Sequence, residues 1–588
     1  MKKLLKLGLL LLLTLTSCNK TSSSLSMSSF NSSSFTSSSS TYTISDNKEY
    51  QKDEEGFFIL EDDYFKNNSK EDNKEISKVR FNDDLNEDLR YSQLRMFIGD
   101  KEVPLFNCKT NMSQTWNGEA PSRMNNAVAL IELEGKIEVK LQANFALLGE
   151  CVVRPLSANI TPIIDENRRV ITFTISSPGQ YTVDLRSGRT LHLFVDEYKQ
   201  YDSYKESSNV IYFGKGIHTK ESSKYINNYD EIVLNSNTTI FIDQGAIIRA
   251  RFIASNKSNI KIIGSGIIDG STFDRSIERG TTKVPLEFNF CNNIEIRGIS
   301  TLDPAGWCYN LYYCKDVVID NIKIISSRSN GDGVSVQSCE NVVCSNSFIR
   351  SWDDSLVVKN YPLHNNRNSH GSTKNILFEN CIIWTDLAQS MEVGYETVGE
   401  VLEDVTFNNI TVLHNYHKAV ISIHNANNAN IKRVKFTNIT VEDLSVGKGD
   451  GNKIFIDVAN VFSSNWSTNW TTTSLGSIDD VLIENVKVIE GHIDAEIKIS
   501  GTKDHRKEYN YTTHYVNNVT IKDVIIKDKI VDETYSNLTV NLTNNLKFEK
   551  SNNIITGAVI NYKDVSNYGS NYILDIIYSI DIDLTSEF

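Results

Sequence analysis

Three aspartates in one short stretch have the types and spacing of an acid–base site. Asp332 lies in "NGDG" (330–333), and Asp353 and Asp354 lie in "WDDS" (352–355), 21 and 22 residues further on. Carboxyls held close together repel, so one keeps its proton while others ionise. That division suits inverting hydrolysis of a glycosidic bond. One carboxyl protonates the leaving oxygen and another takes a proton from water, the pair standing roughly 6.5 to 9.5 Å apart. Alone, "NGDG" reads as a turn and "DDS" as a solvated corner; it is the interval between them that makes a site.

The interval has meaning because the surrounding chain repeats. "NIEIRGIS" (from Asn293), "DVVIDNIKI" (Asp316), "NVVCSNSFI" (Asn341), "NILFENCII" (Asn375), "DVTFNNITV" (Asp404), "RVKFTNITV" (Arg433), "DVLIENVKV" (Asp480) and "NVTIKDVII" (Asn518) share one template of strand, polar corner and strand. Their starts advance by 23, 25, 34, 29, 29, 47 and 38 residues. Apolar residues alternate in twos and are β-branched, which excludes a helical repeat. A period near 23 with irregular insertions predicts a solenoid whose loops leave from fixed corners. The expected architecture is all-β, a right-handed parallel β-helix over 204–545; a propeller, with longer and more regular blades, is the alternative. In a β-helix, residues one coil apart stack at about 4.8 Å, so the three acids should project from one face on adjacent coils.

Upstream, "AVALIELEG", "KIEVKLQANF", "RRVITFTIS", "QYTVDLRSG" and "TLHLFVDEY" are short alternating runs separated by turns, predicting a β-sandwich over 91–203. Residues 18–90 read as a Ser-rich tether followed by a weakly ordered polar segment, and 546–588 as a C-terminal cap or tail. The first 17 residues carry Lys2, Lys3 and Lys6 before the apolar run Leu7–Leu15, too short to span a membrane, and read as a secretion signal. The ending Leu-Thr-Ser-Cys resembles the lipobox of bacterial lipoproteins. It implies lipid attachment at Cys18 and export to the bacterial cell surface, with the lipid as the only contact to membrane.

Without that signal, 57 basic residues face 74 acidic ones, a net charge of −17. Nucleic acid is a poor match for such a surface, and a polyanionic polysaccharide is mildly disfavoured. The spacing of Cys108, Cys151, Cys291, Cys308, Cys314, Cys339, Cys344 and Cys381 fits no zinc pattern. No metal or cofactor is expected.

The pair "NGDGVSVQSCENV" and "WDDSLVVK" resembles the Asn-Thr-Asp and Gly-Asp-Asp motifs of glycoside hydrolase family 28, the polygalacturonases and their relatives. The resemblance covers roughly residues 205–545. It implies that Asp353 is the general acid, that Asp332 and Asp354 hold and activate water, and that Lys359 stands at the family's lysine. Two features depart from that pattern. Aligning the family's Gly-Ser-Glu with "VGYE" (393–396) puts Ala388 where the family has histidine. Its Arg-Ile-Lys, which grips a galacturonate carboxylate, falls in "HKAVISIHN" (417–425), where no such triplet exists. The order of sandwich and β-helix, with "SPGQYTVDLRSGRTLHLFVDE" and "WTDLAQSMEVGYETVGEVLEDVTFNNITVLHN", is closer to family 49, the dextranases and isopullulanases. The resemblance therefore implies a polysaccharide substrate, a neutral glucan such as dextran ahead of pectin.

Around the acids, Trp307, Trp352, Trp384 and Tyr395 are expected to offer ring faces to sugars. Asp386, Glu392 and Glu396 border the groove, and His417 is a candidate replacement for the missing histidine, with an ordinary exposed corner histidine as the alternative. Two other classes stay open: a polysaccharide lyase, which would want a calcium cluster and a basic residue beside it, and a non-catalytic glycan-binding surface protein.

Overall fold

The structure is a computed structural model. It describes residues 50–65, 77–111, 123–147, 151–185, 188–275, 282–360, 371–446, 453–461, 475–491, 494–506 and 510–551. Cys18, the signal, the Ser-rich tether and nearly all of 546–588 lie outside the described residues.

Two antiparallel-rich sheets form the sandwich. One runs in the order Lys78–Phe81, Arg123–Glu134, Thr190–Glu197, Gly179–Asp184, Val152–Arg154, with Phe106–Asn111 also on Arg123–Glu134. The other runs Lys101–Val103, Leu94–Ile98, Ile137–Ala143, Val170–Ile175, Ile163–Asp165. Met96, Val139, Leu141, Ala129, Leu191 and Leu193 fill the layer between them. The first sheet begins earlier than composition suggests. Lys78–Phe81 lies in the stretch read as weakly ordered, yet it pairs with Phe81 opposite Ile131, and Arg80 reaches Glu132 at 2.5 Å. Its partners are some fifty residues away, so a local reading of polar composition misses them.

From Val210 onward the chain winds as the expected β-helix. Each coil places one strand in an 11-stranded parallel sheet and its remaining strands in a 20-stranded one. Within the 11-stranded sheet, Tyr309, Val334, Leu356, Met391, Ile421 and Ile456 lie in one register row. These residues and their i+2 neighbours point inward and are fully buried. Stacked rings of Phe378, Phe407 and Phe436 at 4.9–5.0 Å add a ladder inside. Each such side chain contributes roughly 1.5–3 kcal/mol of burial.

The polar corner of the sequence repeat has a backbone cause. The eight starting residues Asn293, Asp316, Asn341, Asn375, Asp404, Arg433, Asp480 and Asn518 all have φ between 52° and 57°, the left-handed region. Asn321, Asn346, Asn380, Asn409, Asn438 and Asn485 at the second corner have φ between 51° and 57°. Asn and Asp tolerate that conformation better than other side chains, and here the amides also link coil to coil, as in Asn375 to Asn341 at 2.8 Å.

One outer side of the β-helix is covered by the sandwich. In Thr190–Glu197, Leu191, Leu193 and Val195 face the sandwich core. Phe194 instead meets Ile325, Phe348, Trp384 and Leu413 of the β-helix. Charged groups are buried in the same seam. Lys323 Nζ lies 2.5 Å from Asp196, Arg154 lies 2.8 Å from Glu442 and 3.2 Å from Asp184, and Arg350 lies 3.4 Å from Asp386.

Candidate active site

The acids lie where two coils enter the 11-stranded sheet. Asp332 and Asp354 each precede their strand by two residues, and Val334 pairs with Leu356, so Asp354 stacks one coil beyond Asp332. The corner needs glycine. A Cβ on Gly333 would stand 2.3 Å from the Ser355 carbonyl oxygen, and one on Gly331 would stand 2.6 Å from that of Arg328. Asp353 is carried beside them, its N–H bonded to the Gly331 carbonyl at 3.3 Å and its Oδ1 accepting from the Asp354 N–H at 3.2 Å.

Lys359 ties the cluster together. It lies on the outward side of Leu356–Asn360, since Leu356 and Val358 point into the core. Its Nζ stands 3.7 Å from Asp332, 3.6 Å from Asp354 and 3.3 Å from Glu396. Burial opposes the ammonium, but the carboxylates of Glu396, Asp332 and Asp354 hold its pKa well above the usual lysine range. Asp353 has no ion pair with it; its Oδ2 accepts from Asn330 Nδ2 at 3.5 Å.

All three aspartates are pushed upward, first by burial; Asp332 and Asp354 are raised further by Asp353, and Asp353 by Glu396. Asp332 is raised well above the carboxylate range by burial and by Asp353, with Lys359 opposing. Asp354 is pushed up to about 8 by burial, with Asp353 and Glu392 adding to it against Lys359. Asp353 is raised by burial, with Lys359 and the Asp354 N–H opposing. The trio therefore shares protons at neutral pH. Lys359 favours charge on all three acids, but its ammonium stands within ion-pair distance of Asp332 and Asp354 alone. Oδ1 of Asp332 is buried with no hydrogen-bond partner among the described residues, a place for a water between the acids.

The next coils carry an arrangement that the sequence reading missed. Glu392, Ser422 and Asp457 share one register position on three successive strands. His424, two residues beyond Ser422, is buried with Nδ1 2.9 Å from Glu392 Oε1 and Nε2 3.2 Å from Asp457 Oδ2. Burial alone would discharge it, but the two carboxylates push its pKa to about 10, so it is an imidazolium. Tyr395 stacks on it, ring centroids 4.2 Å apart and planes 2° from parallel. The signal was present in "HKAVISIHN", whose outward positions after His417 include Ser422 and His424.

Glycosyl hydrolases family 28 matches residues 214–529, more than half of the chain. The chain belongs to that family. Polygalacturonase from Brassica napus is 29% identical over 119 residues, 18% of this chain and 30% of that protein. Exopolygalacturonase from Zea mays is 26% identical over 110 residues, 17% of this chain and 27% of that protein. The chain thus matches less than a third of the length of these curated relatives. Dex49A from Penicillium minioluteum superposes with a TM-score of 0.51 at 12% identity, covering 76% of this chain and 92% of that one. That likeness is one of fold.

Within this family 28 chain the expected site residues divide. Trp307 precedes its strand by two residues as Asp332 does, and Lys359 Nζ stands 5.4 Å from its ring centre. Glu392, Tyr395 and Glu396 also border the acids. Trp352 is 4% exposed, so its ring is not an open platform. His417 is fully buried rather than at an exposed corner, and the imidazole bonded to a site carboxylate is His424. Trp384 and Asp386 belong elsewhere. Trp384 packs against the sandwich under the Arg350 guanidinium, 4.0 Å from its ring centre, and its indole N–H donates to Asp386 at 3.0 Å. Trp384 stands on Ile382–Thr385 of the other sheet, with Asp386 directly after it, and that strand turns its outer face to the sandwich. Among the described residues no group of three His, Cys, Asp or Glu side chains is arranged to hold a metal.

Proposed function

We propose that this chain is an inverting glycoside hydrolase acting on a neutral polysaccharide. The observation that carries the chemistry is the division of the trio by Lys359: two carboxyls touch the ammonium and one does not. Asp353 gives its proton to the glycosidic oxygen as the C1–O bond breaks. Water held between Asp332 and Asp354 loses one proton to whichever of the two is ionised, which later returns it to solvent, and adds to C1 from the opposite face, so the new hydroxyl has inverted configuration. Asp353 is then reprotonated from solvent.

Support for a neutral sugar comes from Glu392–His424–Asp457. Where a uronate carboxylate would need an unshared cation, His424 is already shared between two carboxylates and Lys498 lies 3.8 Å from one of them, Asp457, and the carboxylates offer acceptors to sugar hydroxyls. The acidic net charge agrees. Dextran is the first glucan to try. A polygalacturonan substrate is the second reading, favoured by the identity to the polygalacturonases of Brassica napus and Zea mays. Cys18 and its preceding residues support a lipid anchor that displays the enzyme at the cell surface.

The test is reducing-sugar release from dextran, pullulan and polygalacturonate, with Asp353→Asn alongside and the product anomer followed by NMR. Activity that survives Asp353→Asn removes the assigned acid, and a retained configuration removes the inverting mechanism. An unsaturated product absorbing in the ultraviolet assigns a lyase instead. Release of the protein from membranes by Cys18→Ala checks the anchor.

A further inference from the structure

A third set of left-handed corners follows the strands of the 11-stranded sheet. Asn256, Phe290, Tyr313 and Ser338 occupy equivalent places on four successive coils, with φ of 54°, 55°, 53° and 52°. Their N–H groups bond in turn to Asn289, Tyr312, Gln337 and Lys359 of the following coil at 2.9–3.0 Å, so they stack one above another. Asn and Ser are small polar residues suited to such a corner. Phe and Tyr are not, because a bulky side chain in the left-handed region is strained.

Burial does not compensate Phe290, which is 47% exposed. Its ring lies 4.9 Å from that of Tyr313, with planes 14° apart, so the two form one flat apolar step. Beside it, Asn289 faces outward next to Glu287, and its Oδ1 is buried with no hydrogen-bond partner among the described residues. Flat, half-exposed rings suit a pyranose, whose C–H face stacks on the ring while its hydroxyls meet the partly exposed side chains of Glu287 and Asn289. The step borders the same sheet that carries the acids. From Asp332 to Ser338 is six residues, roughly 20 Å along a strand at about 3.3 Å each, and Tyr313 and Phe290 lie one and two coils away. That is too far for the sugar being cut, and within reach of a polymer several residues long.

We propose that Phe290 and Tyr313, with Asn289, form an accessory platform that holds a neutral polysaccharide chain away from the cleavage site. This rests on the polysaccharide substrate proposed above but not on the chemistry of the acids.

The experiment replaces the rings with the residue that neighbouring corners carry, Phe290→Asn with Tyr313→Asn, in the full chain. Retardation in native gels containing dextran or pullulan is read in an Asp353→Asn background, so that hydrolysis does not interfere. The expected result is retardation weakened at least fivefold, with a Tm equal to or above that of the parent because the corner strain is relieved. Unchanged retardation overturns the platform. A lowered Tm also overturns it, by assigning the rings to packing. The two readings fail separately: hydrolysis of a glucan that never retards the chain removes the platform alone. Ring-dependent retardation with no hydrolysis of any glycan removes the hydrolase and keeps the platform.

Discussion

Lys359 Nζ stands 3.6 Å from Asp354 Oδ2, although the two residues are at opposite ends of one strand entry and five positions apart in sequence. The lysine also faces Asp332 and Glu396, so one buried ammonium serves three carboxylates.

Lys359→Met should therefore change the acids themselves. Lys359 lowers the pKa of Asp332, Asp353 and Asp354, and without it all three rise. An inverting enzyme needs its base ionised, so the acidic limb of kcat/KM moves to higher pH. The uncompensated carboxylates should cost about 3–5 kcal/mol of stability. A pH–rate profile and a denaturant titration check both; an unmoved acidic limb would separate Lys359 from the base.

Asp354 keeps its proton up to about 8 when folded, against 3.8 as the ordinary value. Between those values the unfolded chain has lost a proton that the folded chain retains, so stability falls as pH rises through that window. Asp354→Asn should remove part of this slope. The variant should be more stable than the parent at pH 8, gain less at pH 4, and be inactive. Thermal unfolding at the two pH values measures it.

His424 works in the other direction. Its folded pKa of about 10 exceeds the ordinary 6.5. Its contribution is fully present below about 6.5 and is lost as pH rises through about 10. His424→Gln should therefore destabilise strongly at pH 6 and far less at pH 10, which denaturant midpoints at both values would show.

Trp384→Ala tests the seam between sandwich and β-helix. Removing a buried indole packed against Phe348 and Leu413 should cost about 3–5 kcal/mol. If Trp384 is remote from sugar, KM on the active glycan should stay within about twofold at temperatures where the variant is folded. A large rise in KM without loss of stability would return it to the groove.

Much of this arrangement follows from local sequence. Alternation in twos sets which side chains enter the core, and Asn or Asp at the repeat starts sets where the chain turns left-handed. Together they fix the coil length that stacks Asp354 on Asp332 and carries Lys359 outward, all within one coil of covalent chain. What the sequence left undecided depends on elements distant along it. Trp384 and Glu392 both stand on outward positions of neighbouring strands, but the sandwich covers the first and not the second. His424 becomes charged only because Glu392 and Asp457, from the coils on either side, close on both its nitrogens. Lys78–Phe81 becomes a strand only when Arg123–Glu134 lies beside it. A side chain's direction is local physics; what it meets there depends on how sandwich and coils pack, which only the tertiary structure decided.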